Sequence, residues 1–460
     1  MKPNSLSRLL LAWTSLLALL AAPASAADRK PNVIVILGDD MGYGDVGVHG
    51  CKDIPTPHMD SIARNGVRCS SGYVSGPYCS PTRAGLMTGR YQARFGHEFN
   101  EGQGTATFGL TLSETTFAQR MQEAGYATGA IGKWHLGSQP QFRPTSRGFD
   151  EFYGTLANTP FRNPLLLDSK AGPDPARVED DKFYTTEAYA ARAADFMKRN
   201  KDRPFFLYLP FNAVHTPLQA AQKYLDRFPA ITDPLRKAMA AEMSAFDDAV
   251  GSVLAAVREL KLEEHTLIVF LSDNGGQRGQ ASDNRPLRDR KATTFEGGIR
   301  VPFFVQWKGR LPAGKVFDHP VIQLDILPTA LAAAGVTARP EWKLDGVNLL
   351  PHLEGKTTAA PHANLYWRFG PQWAIRQGDW KLVAARDPDA QQPGLLQDLK
   401  VTAPLLFNLK DDIGESKDLA AANPEKAKAL KAAWDAWNKE LAPPAWLPQP
   451  QAAKKNRKNQ

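Results

Sequence analysis

The sequence predicts an α/β protein, in which helices sandwich a large, mixed, mostly parallel β-sheet and a smaller C-terminal α+β domain adds an antiparallel sheet. Three observations support this fold class. Four apolar, β-branched runs are separated by helix-like segments, which is typical of strands buried on both faces. Each run ends in a polar cluster. From about residue 360 the pattern changes to short strands followed by one charged helix.

The four apolar runs predict the strands of the large sheet. They are NVIVIL from Asn32, ATGAIG from Ala127, FFLYLPFNAV from Phe205 and TLIVFL from Thr266. Ligands of such sheets bind beyond the carboxyl ends of the strands. We therefore expect one site to contain the polar clusters that follow the runs, which are Gly38-Asp39-Asp40, Lys133-Trp134-His135, His215 and Ser272-Asp273-Asn274.

Helices are predicted between and after these strands, at residues 116–125, 185–200, 240–261 and 324–335. In the C-terminal region, short strands are predicted in NLYWRF, WAIRQGDWKLV and LLFNL, and a helix in NPEKAKALKAAWDAWNKEL. We expect a catalytic domain at residues 30–355, an antiparallel subdomain at 360–445 and a basic, disordered tail at 446–460.

The first 26 residues have the pattern of a signal peptide. Lys2 and Arg8 precede the apolar stretch LLLAWTSLLALLAA, and Ala24-Ser25-Ala26 forms a small-residue cleavage site. The stretch is short for a membrane span, so we expect export to the periplasm or the medium without stable membrane insertion, a retained anchor being the alternative. Once the leader and the tail are set aside, the formal charge of +8 falls to about +2. Nucleic acid is therefore not an expected partner.

The chain has three cysteines, at positions 51, 69 and 79. In an oxidising compartment Cys51 and Cys69 could pair, and the sequence leaves this open. Cys79 lies in GPYCSPTRAGLMTGR, a polar, turn-rich stretch that then has the pattern of a helix. Neither a structural thiol nor a zinc ligand is expected in that context.

Oxygen ligands dominate the polar clusters. Asp39, Asp40, Asp273 and Asn274 would bring three carboxylates and an amide carbonyl to one edge of the sheet. Carboxylates repel one another unless a cation lies among them, and oxygen ligands favour calcium or magnesium over zinc. Each aspartate alone could instead be a turn or helix cap.

Basic side chains accompany these carboxylates. Lys133 and His135 are two residues apart, so in an extended segment both would face the same way. His215 ends another strand, and Lys291 lies in KATTFEGGIRVP. Two histidines and two lysines near a cation suit general acid–base chemistry on an anionic group.

The order Cys79-Ser80-Pro81-Thr82-Arg83 resembles the sulfatase signature, in which Cys-x-Pro-x-Arg leads a helix. Other stretches resemble sulfatase blocks in the same order, from about residue 30 to 440. They include PNVIVILGDDMGYGD, GYATGAIGKWHLG, RGFDEFYG, HTPLQ, LSDNGG, FEGGIRVP and DILPTALAAAG. The resemblance implies an alkaline phosphatase-like fold and a sulfuric ester hydrolase that uses a formylglycine hydrate and one calcium ion, magnesium being less expected.

The resemblance also implies roles for individual residues. Cys79 would be oxidised to Cα-formylglycine by a formylglycine-generating enzyme, and would then share the calcium ion with the four oxygen ligands. Lys133 and Lys291 would hold sulfate oxygens, and Arg83 would orient the nucleophile. His135 would deprotonate it to expel sulfate, and His215, with Lys291, would protonate the departing alcohol.

Other interpretations remain open at this stage. A phosphoesterase or phosphonate monoester hydrolase can share the fold and the signature, a catalytically silent protein could bind anionic glycans, and Cys79 could be a buried structural thiol. The expected substrates are aryl sulfates or sulfated polysaccharides such as glycosaminoglycans, with neither the sugar nor the sulfated position defined. A further sulfate contact could come from Asn158 or Thr159, and Arg143, Arg147 and Arg162 could line the pocket rim or be solvated surface.

Overall fold

A computed structural model describes residues 29–100, 108–390 and 398–447. The predicted signal peptide lies outside the described residues, as does most of the predicted tail. Within the described ranges, no helix combines the length and apolar character needed to cross a bilayer.

The large sheet has ten strands, and its centre is parallel as the sequence predicts. The order is β11-β2-β10-β9-β1-β8-β4-β5-β6-β7, with β9, β1, β8, β4 and β5 mutually parallel and the flanking strands partly antiparallel. Numbered along the described part of the chain, the strands of all sheets are β1 (Asn32–Gly38), β2 (Val67–Cys69), β3 (Gly72–Tyr73), β4 (Ala127–Lys133), β5 (Glu151–Thr155), β6 (Leu165–Asp168), β7 (Ala176–Arg177), β8 (Phe205–Pro210), β9 (Thr266–Ser272), β10 (Phe303–Gln306), β11 (Lys315–Phe317), β12 (Val321–Ile322), β13 (Leu365–Phe369), β14 (Gln372–Gln377), β15 (Trp380–Ala384) and β16 (Leu405–Asn408).

Helices cover both faces of this sheet. Along β1, Val33, Val35 and Leu37 face one apolar core, whereas Ile34 and Ile36 face the other. Residues of α2, α3 and α8 complete the first core, and residues of α1, α4 and α6 complete the second. The helices are α1 (Pro57–Arg64), α2 (Cys79–Thr88), α3 (Phe117–Glu123), α4 (Thr185–Asn200), α5 (Gln222–Leu225), α6 (Pro234–Glu259), α7 (Glu296–Ile299), α8 (Ile326–Ala333), α9 (Leu350–Leu353) and α10 (Pro424–Asn438).

Two helices begin at positions that differ from the predictions by more than one residue. Helix α6 begins at Pro234, six residues before the predicted start, because Asp233 caps it by accepting a hydrogen bond from the Arg236 amide. Helix α8 begins at Ile326 because the preceding Gln323–Asp325 forms a 3₁₀ turn.

The C-terminal region forms a separate four-stranded antiparallel sheet, in the order β13-β14-β15-β16. The single predicted strand WAIRQGDWKLV is in fact two strands, because Gly378 adopts a left-handed backbone with φ of 58° and turns the chain between β14 and β15. Helix α10 packs on β14 through Trp434 and Trp373, whose ring centroids are 4.7 Å apart. A hydrogen bond of 2.7 Å from the Trp367 indole to the Val74 carbonyl joins this sheet to the segment that follows β3, a strand that pairs with β12 outside the large sheet.

Candidate active site

The site lies where the parallel strands end. Strands β9, β1, β8 and β4 are neighbours in that order, so the polar clusters that follow them come together. Gly38 pairs with Ser272 in the last register of β1 and β9, which brings Asp39 and Asp273 to adjacent positions. The Asp40 amide donates to Asp273 Oδ1 at 3.2 Å, and a left-handed backbone at Asp40, with φ of 63°, turns the chain away from the strand.

Cys79 is the first residue of α2 and is completely buried. Its surroundings are nonetheless polar: Sγ lies 3.5 Å from Asp39 Oδ1, 3.9 Å from Asp40 Oδ1 and 3.2 Å from Lys291 Nζ. Burial raises the pKa of the Cys79 thiol far above its usual range, although Lys133 and Lys291 oppose that shift. The unmodified side chain is therefore a neutral thiol, which is a poor nucleophile.

Three cations pair with the buried carboxylates. Arg83, one helical turn after Cys79, donates through Nε and Nη2 to Asp273 Oδ2 at 3.1 and 2.7 Å, and through Nη1 to the Lys133 carbonyl at 2.7 Å. Lys133 Nζ contacts Asp39 Oδ2. Lys291 Nζ donates to Asp40 Oδ1 and Oδ2 at 2.6 and 2.8 Å.

The pKa values of the Asp39 and Asp273 carboxyls are shifted in opposite directions. Burial would raise the pKa of Asp39, but Lys133 and the neighbouring cations hold it far below its usual range. Burial, reinforced by the Asp39 charge, raises the pKa of Asp273 to about 6 in spite of Arg83. As the pH falls, Asp39 therefore stays ionised after Asp273 has taken up a proton.

The two histidines are neutral in this environment, because burial lowers both of their pKa values. His215 Nδ1 lies 2.6 Å from the Thr216 carbonyl, which can only accept, so Nδ1 carries the proton and Nε2 faces Asp40 Oδ2 at 3.6 Å. His135 does not continue an extended segment as expected, because β4 ends at Lys133 and His135 has a φ of 58°. Its buried Nδ1 has no hydrogen-bond partner among the described residues.

Atoms of the types that bind metals lie close together at the strand ends. One ligand atom each from Asp39, Asp40, Cys79 and His215 lies within 4.8 Å of the others. Asn274 Nδ2 donates to Asp40 Oδ1 at 2.7 Å, but its buried Oδ1 has no partner in the described part of the chain. A buried carbonyl oxygen without a donor costs free energy unless something such as a cation binds it.

Arginines proposed for the pocket rim have other contacts. Arg147 is buried and donates to the Leu110, Thr111 and Glu114 carbonyls, so it is neither a rim residue nor solvated surface. Arg143 and Arg162 are half-buried and bind backbone carbonyls of neighbouring loops. Asn158 is exposed and Thr159 half-buried.

Some contacts of the site escape sequence reasoning. Gln280 Nε2 donates to the Asp40 carbonyl at 2.7 Å, and the Ser80 hydroxyl, next to Cys79 in the chain, shares a 2.6 Å hydrogen bond with buried His97 Nε2. Gln280 lies in a short 3₁₀ turn and His97 in a loop, and neither follows a predicted strand, so only the tertiary fold reveals them. Cys51 and Cys69 are free thiols, so the pairing left open by the sequence is not formed.

Comparison with known proteins decides the family. The model of the Sulfatase family matches residues 31–336. The chain belongs to the sulfatase family. This sulfatase is 32% identical to the dog (Canis lupus familiaris) N-acetylgalactosamine-6-sulfatase over 91% of its own length and 88% of that protein, and 34% identical to human (Homo sapiens) arylsulfatase A over 91% and 89%. It is therefore a sulfuric ester hydrolase.

Solved structures agree with this assignment. The crystal structure of Ps i-CgsB is similar with a TM-score of 0.83 and 34% identity over 91% of this chain and 95% of that one, and a second structure is its complex with k-i-k-neocarrahexaose. The phosphonate monoester hydrolase of Agrobacterium radiobacter has a TM-score of 0.63 at 18% identity, covering 89% and 96% of the two chains, which shows a shared fold alone. The alkaline phosphatase-like fold class is confirmed.

Proposed function

We propose that this sulfatase removes sulfate from sulfated sugars in oligosaccharides or polysaccharides. The observation that carries the proposal is the buried cysteine enclosed by carboxylates and two lysines at the strand ends. Two comparisons support a sugar substrate: the similar N-acetylgalactosamine-6-sulfatase is named for one, and the similar Ps i-CgsB was crystallised with an oligosaccharide. Aryl sulfates are expected as artificial substrates.

The proposal includes conversion of Cys79 to Cα-formylglycine by a formylglycine-generating enzyme before folding buries it. The raised thiol pKa supports this step, because a buried neutral thiol would attack sulfur poorly. Once formed and hydrated, the aldehyde supplies one hydroxyl to attack sulfur and a second whose deprotonation re-forms the aldehyde and releases sulfate.

We assign the metal site to Ca²⁺. The ligands would be the oxygens of Asp39, Asp40, Asp273 and Asn274 together with modified Cys79, and the unpartnered Asn274 Oδ1 supports the fit. Four buried protein oxygens leave little room for the waters that Mg²⁺ retains, so calcium fits better. Held by these residues, the ion would supply positive charge that lowers the pKa of a nearby hydroxyl.

Lys133 and Lys291 bind the sulfate oxygens in this proposal. Both ammonium groups now pair with carboxylates that would ligate calcium, so metal binding would leave their positive charge available to the substrate. Arg83, already bound to Asp273, would hold the modified side chain in place.

The histidines move the protons. In this proposal His215 Nε2 faces the departing alcohol, because Nδ1 keeps its proton on the Thr216 carbonyl. Nε2 must first take up a proton from solvent, and the imidazolium then donates that proton to the alcohol. His135, neutral and buried, would accept the proton of the second hydroxyl. Each group acts as an acid or a base only once, and bulk water restores it.

The test is the release of inorganic sulfate by the mature protein from N-acetylgalactosamine 6-sulfate, neocarrahexaose and p-nitrophenyl sulfate, with p-nitrophenyl phosphate as the competing substrate. We expect sulfate release from at least one sugar and its loss in Cys79→Ala. Cys69→Ala is the matched control, since Cys69 is also buried and free but lies in β2. Faster turnover of the phosphate ester would overturn the proposal.

We also propose the export and domain organisation predicted from the sequence. The signal peptide would cover residues 1–26, the catalytic domain 30–355, the antiparallel subdomain 360–445 and the basic tail 446–460. The test is N-terminal sequencing of the protein recovered outside the cytoplasm. We expect Ala27 as its first residue, and a chain that still begins at Met1 would contradict cleavage.

A further inference from the structure

Tyr78 immediately precedes the reactive position and lines the same space. It adopts an extended backbone, with φ of −149° and ψ of 151°, at the N-cap of α2. Lys291 Nζ lies 5.0 Å from the centroid of its ring and 3.2 Å from Cys79 Sγ. One lysine therefore contacts both the tyrosine ring and the atom at which sulfate transfer takes place.

The ring of Tyr78 is held from behind by the C-terminal sheet. Phe369, at the end of β13, lies 5.5 Å away with an interplanar angle of 35°, and Phe369 in turn packs on Phe99 at 5.3 Å. Glu98 fixes the same turn, because its Oε1 accepts a 2.7 Å hydrogen bond from the Gly370 amide. The aromatic ring is therefore positioned before any substrate binds.

Among the described residues the hydroxyl of Tyr78 makes no hydrogen bond. The side chain as a whole is half-buried, so part of it reaches solvent. The carboxylates around Cys79 are fully buried, whereas the side chains of His215 and Lys291 keep 16% and 7% of their exposure. The departing alcohol must leave on this exposed side, which is where the half-buried Tyr78 lies.

We infer that Tyr78 is a specificity-determining residue that contacts the sugar ring bearing the sulfate, its hydroxyl bonding to a sugar hydroxyl next to the ester. The inference rests on the proposed function and deepens it. A pyranose offers both an apolar C–H face for the aromatic ring and adjacent hydroxyls for the phenol, whereas an aryl sulfate such as p-nitrophenyl sulfate offers a ring without the hydroxyl.

A purely structural role is the competing explanation, in which Tyr78 only holds Lys291 through the cation–π contact. Tyr78→Phe separates the two, because phenylalanine keeps the ring beside Lys291 and Phe369 and loses only the hydroxyl. The variant is compared with wild type on p-nitrophenyl sulfate and on the best sugar substrate of the panel above. Formylglycine content is measured by peptide mass, and rates are expressed per converted active site.

We expect Tyr78→Phe to lower kcat/KM for the sugar sulfate about five- to tenfold, mainly through KM, as the loss of one hydrogen bond predicts. Its kcat/KM for p-nitrophenyl sulfate should stay within about twofold of wild type, which is roughly the error of such a comparison. Tyr78→Leu, which removes the ring, should impair both substrates. Tyr126→Phe is the control, since its buried hydroxyl bonds to the Pro31 carbonyl at the far end of β4.

Equal effects of Tyr78→Phe on the two substrates, or no effect on either, would overturn the inference and leave the sulfatase proposal intact. A wild-type protein that releases sulfate from p-nitrophenyl sulfate but from no sugar would overturn the sugar substrate and this inference together. These results are distinguishable because sulfate release by the wild-type protein is measured on the substrate panel before the variants are compared.

Discussion

Replacing Asp273 with asparagine tests the metal site and the Arg83 pair together. Asp273 is fully buried; its Oδ2 accepts two hydrogen bonds from Arg83, and its Oδ1 accepts one from the Asp40 amide. An asparagine side chain at this position would keep the volume and one carbonyl oxygen but lose the negative charge. The change therefore removes the charge of one proposed calcium ligand and leaves the Arg83 guanidinium without its closest anion.

The expected magnitudes follow from this geometry. Breaking a buried ion pair by removing one partner costs about 3–5 kcal/mol, and we expect the lower end because asparagine still accepts a hydrogen bond and Asp39 Oδ2 lies 3.5 Å from Arg83 Nη2. The loss of activity should be larger than the loss of stability suggests. We expect kcat/KM to fall about 1,000-fold, which corresponds to about 4 kcal/mol of transition-state stabilisation.

The assay combines sulfate release, bound calcium by elemental analysis and urea unfolding on the same preparations. Asp247→Asn is the matched control, because Asp247 is also a buried carboxylate but accepts hydrogen bonds from the His58 and Met59 amides at the start of α1. The control should lose stability and keep kcat/KM and calcium. If Asp273→Asn retains near-normal turnover and a full complement of calcium, Asp273 is not a ligand and the reasoning is refuted.

Three further predictions concern the metal, the domain contact and pH. Removing divalent cations with a chelator should abolish sulfate release and lower stability, and calcium at about 100 times its Kd should restore both, with about 2.7 kcal/mol of stabilisation measured by urea unfolding. Lys381→Met should cost about 3–5 kcal/mol in the same assay, because the buried Lys381 ammonium pairs at 2.8 Å with both Glu296 and Glu415; its surface counterpart Lys431→Met should cost under about 1 kcal/mol. Glu242→Gln should stabilise the protein more at pH 8 than at pH 5. Burial raises the pKa of Glu242 well above its usual value, so the folded wild-type protein loses stability as the pH rises above about 4.5. This loss is at most about 1.4 kcal/mol per pH unit, and the glutamine variant should not show it.

Each of these predictions can fail. Activity that survives thorough chelation would exclude a catalytic cation. Equal costs for the two lysine variants would mean that the buried cluster contributes no more than a surface pair. A Glu242→Gln variant whose stability curve runs parallel to wild type between pH 5 and 8 would mean that Glu242 does not titrate differently on folding.

The parallel strands and the residues at their ends could be predicted because the signal is local. A run such as NVIVIL is apolar at every position only when both faces are covered, and the two cores on β1 show why. Parallel strands end at one edge, so Asp39 and Asp273 had to come near each other. The proposed reactive role of Cys79 comes from its resemblance to a family signature; the residue pattern alone indicated only that an ordinary structural thiol was unexpected there.

The features that could not be predicted from the sequence depend on contacts between segments that are distant along the chain. Arg147 is indistinguishable in sequence from a surface arginine, yet three backbone carbonyls from residues 110–114 surround it. The full burial of Cys79 also could not be inferred from its polar neighbours in the sequence, because those polar groups are themselves buried. Tyr78 has no periodic or strand-end signal, and its position is defined by Phe369, which comes from the C-terminal sheet, far along the chain.

The most direct test is the mass of the peptide that contains position 79, taken from protein made in its own host and compared with sulfate release by the same sample. We expect the mass of an aldehyde or its hydrate, in a fraction of the peptide that is proportional to the rate of sulfate release. A fully active sample in which position 79 is entirely unmodified cysteine would contradict it.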